Sequence, residues 1–147
     1  MPESVFAAAC RKGSPEREAR DILVSGPEIT LPDGQTFKDK DGQPRTEMRL
    51  KWWLCGDGPL PLKQAGLGLN DEQLNKLPND FVSPEISARF APDGKPTFFG
   101  HYWLTEMPPA PSSPNATCLD YSVARGGTLV AYRWDGEPEL SQEKFCY

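Results

Sequence analysis

The chain has 147 residues, of which 37% are apolar, 16 are proline and 13 are glycine. Sixteen basic residues against 21 acidic ones leave a net charge of −5. A nucleic-acid partner is excluded on that ground, because phosphate neutralisation needs a basic stripe and none is visible. One domain of this length can bury roughly 70% of the surface its unfolded chain exposes. The apolar share is low for a self-sufficient fold, and predicts a segment that leans on something else.

The opening residues Met1 to Cys10 carry Glu3 and no long apolar run, so they read as neither signal peptide nor membrane anchor. No stretch approaches the roughly 20 apolar residues of a spanning helix. Cys10, Cys55, Cys118 and Cys146 are widely spaced with no CxxC pair, and read as reduced thiols of a cytoplasmic protein.

In chain order, residues 3–12 predict a short helix with Val5, Phe6, Ala9 and Cys10 at helical spacing. Ser14 as cap and Pro15 in the first turn open a second helix to about Val24, stopped by Gly26-Pro27. Its Ala19, Ile22 and Leu23 share one side, so both helices are expected to pack on something. A β-hairpin is expected over 28–55, turning at Asp41-Gly42. Its return strand places Met48, Leu50, Trp52 and Leu54 on one face, with Arg49, Lys51 and Trp53 on the other. Residues 56–95 are weakly patterned, with one short helix opening at Asp71, and read as a loop-rich segment wrapped over a surface. Residues 96–147 predict sheet strands at 97–99, 116–121 and 128–134, and an edge strand at 145–147. Val130, Tyr132 and Trp134 fall on one face of the third.

Three short strings have structural readings. Asp39-Lys40-Asp41-Gly42 suggests a calcium loop, but Gly42 at the sixth position would put Phe37 first and Met48 twelfth, which removes the ligands. A hairpin turn fits better. Gly94-Lys95-Pro96-Thr97 lacks the spacing of a phosphate-binding loop, and Gly66-Leu67-Gly68 has no strand before it.

The informative string is Phe98-Phe99-Gly100-His101-Tyr102-Trp103. A strand ending at Gly-His sets an imidazole at its C-terminal end, where open α/β sheets place their chemistry. A lone histidine is more often a hydrogen-bonded structural residue than a ligand. No Ser or Cys is placed by motif as its partner, so no nucleophilic triad assembles and the catalytic residues stay unassigned. Cys118, in an apolar strand, reads as an inert core thiol.

PTFFGHYWL followed by ATCLDYSVARGGTLVAYRWDGE resembles the end of bacterial calcineurin-like metallophosphoesterases of the serine/threonine phosphatase-like branch. RKGSPEREARDIL and LPDGQTFKDKDGQPRTEMRLKWW resemble one subgroup of that family. The resemblance implies an α/β fold: the C-terminal half of a two-sheet α/β sandwich with a β-hairpin insertion, making residues 1–147 a single partial domain. It makes His101 the last metal ligand, with Asp120 and Tyr102 in supporting positions. Tyr102 and Trp103 stand where the commoner Gly-His-x-His form has its second half, which the phosphatase-like branch also lacks.

The family's other ligand motifs, Asp-x-His, Gly-Asp-x-x-Asp-Arg-Gly and Gly-Asn-His-Glu/Asp, do not occur, and His101 is the single histidine. Two-metal hydrolysis needs several imidazole and carboxylate ligands. Met1 also corresponds to the middle of a family helix. The resemblance therefore implies an incomplete metal-dependent phosphoesterase, inactive alone, whose complete form would bind manganese, iron or zinc and a phosphoester substrate. A missing N-terminal half, or self-association, would supply its partner. The alternative is a stand-alone interaction module that reuses the C-terminal sheet; it expects the 14–24 helix to cover that sheet and His101 to be held by hydrogen bonds.

Overall fold

A computed structural model describes residues 3–38, 42–56 and 58–147. Residues 1–90 and 91–147 form two compact units. Each is taken on its own.

The first unit begins with helices α1 (Glu3–Cys10) and α2 (Pro15–Ser25). Polar caps join them. The Ser14 hydroxyl accepts the Arg17 N–H at 3.1 Å and donates to the Ala8 carbonyl. Arg20 and Arg17 donate to the carbonyls of Ala9 at 3.0 Å and Cys10 at 3.3 Å, so α2 satisfies the free C-terminal carbonyls of α1. Gly26 (φ 83°) ends α2 with its N–H on the Ile22 carbonyl. The apolar face expected of α2 is not buried: no α2 residue is, and Leu23 is 86% exposed.

Next come β1 (Glu28–Thr30), β2 (Phe37–Lys38), β3 (Pro44–Arg45) and β4 (Glu47–Leu50). β2 and β3 pair antiparallel, Phe37 opposite Arg45. The turn expected at Asp41-Gly42 lies in part outside the described residues, since 39–41 are not among them. β4 pairs antiparallel with β1 and with a later strand, β5 (Gly66–Leu67), and so lies central. Met48 and Leu50 are fully buried on its inner face, as the alternation predicts. Beyond Leu50 the alternation fails. β5 pairs no further than Leu50, and the Lys51 N–H makes the last bond, to the Ala65 carbonyl at 2.7 Å. Beyond that bond the chain closes i→i+3 bonds over Trp52–Leu54, burying Trp53 and exposing Leu54, the reverse of the expected faces.

The weakly patterned stretch contributes three helices, α3 (Leu62–Ala65), α4 (Asp71–Lys76) and α5 (Pro84–Phe90). α4 carries a capping box, with Asn70 and Gln73 exchanging side-chain and backbone bonds at 2.9 Å each way. Leu60, Leu62, Ala65, Leu77 and Val82 join Ile29, Leu31, Met48, Leu50 and Cys55 in one core. This segment is therefore part of the core and not merely a wrapping. Its apolar residues sit on pieces too short to show a period.

The second unit holds β6 (Thr97–Phe99), β7 (Ala116–Cys118), β8 (Ala131–Tyr132) and β9 (Phe145–Cys146). β6 and β7 are parallel, Thr97 opposite Ala116 and Phe99 opposite Cys118, and β8 pairs antiparallel with β9. The expected strands 116–121 and 128–134 are both shorter. The chain turns at Asp120, whose Oδ1 accepts the Ser122 N–H at 3.1 Å, and a 3₁₀ turn follows at Val123–Arg125. Tyr121, Val130 and Phe145 form the buried cluster there.

The described residues are thus mixed α/β, with small sheets and five helices. None of those helices is long and apolar enough to cross a membrane.

Candidate functional site

The C-terminal ends of β6 and β7 carry the residues singled out by sequence. Parallel pairing brings both strand ends to one level, because Phe99 and Cys118 are register partners and the Leu119 N–H donates to the Phe99 carbonyl at 2.8 Å. Gly100 follows β6; a Cβ there would lie 3.7 Å from the Asp120 Cβ. That places Asp120 beside the backbone immediately before His101. Two further bonds lace the loops after the strands: the Leu104 N–H donates to the Asp120 carbonyl at 2.9 Å, and the Ser122 hydroxyl to the Leu104 carbonyl at 3.1 Å.

Among the described residues, three of the four non-glycine positions with positive φ lie in these loops: His101 (76°), Trp103 (53°) and Ser122 (60°). Such backbone costs about 1–2 kcal/mol per residue and concentrates where surrounding structure holds it. Its effect at His101 is to turn the chain sharply off the strand, and the imidazole is exposed. The ring lies 6.1 Å from the Tyr102 ring, and the imidazole makes no hydrogen bond among the described residues. Tyr102 is half-buried, with its ring edge-on to Phe99 at 5.5 Å. Asp120 is half-buried and already holds the Ser122 N–H.

Cys118 lies beneath. Burial pushes its thiol pKa above the ordinary value, against smaller opposing contributions from backbone hydrogen bonds of Asp120 and Tyr102. It is a poor nucleophile at neutral pH. Sequence reasoning missed the Arg125 guanidinium, which stacks 4.0 Å from the centroid of the exposed Trp103 ring. The two are distant in sequence and no spacing rule links them; the turn that ends in Gly126-Gly127 brings them together.

A metal centre requires more donors than this. Among the described residues no group of three or more His, Cys, Asp or Glu side chains is placed to hold an ion. One free imidazole and one engaged carboxylate do not fit a complete two-metal site.

The first unit contains a groove of about 870 Å³ between α2, β1 and α5. Its guanidiniums are neutralised locally: Arg17 pairs with Asp21, Arg89 with Glu18 and Arg49 with Glu28. It therefore offers little net field to an anion.

No protein-family model, curated protein or solved structure matches the chain.

Proposed function

We propose that this chain is the C-terminal portion of a metal-dependent phosphoester hydrolase, in which His101 supplies one metal ligand. The supporting observation is an exposed imidazole, without hydrogen-bond partners among the described residues, at the C-terminal end of a parallel strand pair. Asp120, beside it on the neighbouring strand end, is in position to support that ligand. The finer fold belongs to the same reading: β6 and β7 would be two strands of a larger two-sheet α/β sandwich.

The described residues do not complete such a site, so on this reading the missing donors, together with the substrate-facing surface, come from outside them. Manganese, iron or zinc would each suit an imidazole and carboxylate set. When bound, the metal would activate water and offset charge on the phosphoryl group. This chain's own part is to hold one imidazole outward on a fixed backbone.

The alternative, a stand-alone interaction module, expects a covered α2 and a hydrogen-bonded His101. The unengaged imidazole favours the hydrolase reading.

The test is to sequence the DNA upstream of Met1 and express the extended frame. In-frame codons for Gly-Asn-His, and manganese-dependent phosphatase activity that His101→Ala abolishes, would support the reading. An extended frame that encodes no such motifs, or whose activity ignores His101→Ala, would contradict it.

A further inference from the structure

In a parallel pair each strand turns alternate residues toward its neighbour. The Thr97 N–H donates to the Asn115 carbonyl at 2.8 Å, and the Phe99 carbonyl accepts the Leu119 N–H at 2.8 Å. Thr97 and Phe99 therefore face β7, and Phe98 directs its N–H and C=O to the opposite side. The outer side of β7 is closed. The Ala116 carbonyl accepts the N–H groups of Ser112 at 3.0 Å and Ser113 at 2.9 Å, and the Ser112 hydroxyl accepts the Cys118 N–H at 3.2 Å.

Within its own unit, the outer side of β6 has no such cover among the described residues. Phe98 is 37% exposed and Gly100 is exposed. Pro96, just before the strand, has no N–H to offer, as is usual at a sheet edge. A strand edge with unpaired N–H and C=O groups is a template for one kind of occupant, another extended chain.

The side chains specify that occupant further. On one face of β6 the Phe98 ring meets Tyr132 at 5.4 Å and Trp134 at 6.4 Å. On the other, Phe99 meets Tyr102 at 5.5 Å. A strand laid beside β6 would thus find aromatic surface next to both its faces. Parallel strands buried on both sides are runs of apolar, β-branched residues, not alternating ones. A parallel pair also rarely stands alone.

We propose that the outer edge of β6 takes up an extended, uncharged, β-branched segment of a partner polypeptide as a third strand. The proposal does not depend on the hydrolase reading, since the edge and its aromatic flanks would recruit a strand whatever His101 does.

The probe is a capped five-residue peptide of valine and threonine added to the full chain, with amide hydrogen exchange followed residue by residue. Saturating peptide is expected to slow exchange at Phe98 by about tenfold, while the Thr97 amide, already bonded to Asn115, changes little. The same peptide with alternate amides N-methylated should give no protection. Phe98→Pro, which removes a donor that β7 does not use, should abolish protection at Gly100, with the far-ultraviolet circular dichroism of the chain preserved. Three outcomes overturn the proposal: Phe98 exchange unmoved at saturation, equal protection by the N-methylated peptide, or a Phe98 amide already protected without peptide. If that last protection rises with chain concentration, the occupant is a second copy.

Discussion

Gly127 shows how a single residue fixes the route into β8. A Cβ at this position would lie 2.1 Å from the Tyr121 carbonyl oxygen, and the obstacle is backbone, which cannot swing aside. The Gly127 N–H donates to the Ser122 carbonyl at 3.0 Å and the Thr128 N–H to the Tyr121 carbonyl at 3.1 Å, so moving the turn breaks both bonds. Gly127→Ala should destabilise the chain by roughly 3 kcal/mol, read by urea denaturation. Glu137 supports a different prediction. Partial burial opposes its charge, but hydrogen bonds from its own and the Asp135 N–H, from the Lys144 ammonium and from the Tyr132 hydroxyl outweigh it and hold its pKa at about 2. A carboxylate with a depressed folded pKa stabilises the fold above its unfolded value. That contribution is lost as the pH falls from about 4.5 through about 2. Melting temperature should therefore drop across that window, and Glu137→Gln should flatten the drop. The thiols divide as well: Cys10 and Cys146 are exposed, Cys55 and Cys118 buried with raised pKa values. Two of the four should react rapidly with a disulfide reagent at pH 8 and two only after unfolding. Four rapid reactions would disprove the packing around Cys118.

Among the elements, α2 was the most legible. Its start needed only Ser14 and Pro15 and its end only Gly26, because capping is local chemistry written within a few residues. What covers it was not legible, since amphipathicity predicts that a face seeks cover and not that cover is present. Ser14→Ala should cost about 1 kcal/mol through the lost Arg17 N–H bond. Leu23→Lys should change stability by less than about 0.5 kcal/mol, because the side chain is solvated; a larger loss in a thermal melt would mean that something packs there. β4 was half legible. The alternation of Met48 and Leu50 was right, but where it stopped depended on β5, a partner strand with no pattern of its own. The same holds between 60 and 90, where Leu62 and Ala65 lie on a four-residue helix and Leu60, Leu77 and Val82 lie between helices, so hydrophobic period has no room to develop. At the site, the Gly-His string announced a strand end, whereas the Trp103–Arg125 stack and the nearness of Asp120 to Gly100 are tertiary and left no sequence trace.

The molecule as a whole combines a low apolar content with a set of large apolar side chains left in solvent, among them Phe6, Leu23, Val24, Phe98 and Trp134. The proposed incomplete hydrolase would account for these exposed side chains and for the shortage of metal donors around His101 among the described residues. The most direct test is manganese-dependent hydrolysis of an aryl phosphate by the 147-residue chain beside His101→Ala, with manganese binding followed by calorimetry. The account predicts no turnover and no tight manganese site in either protein. Turnover by the chain that disappears in His101→Ala would contradict it, because a complete metal site would then exist within these residues.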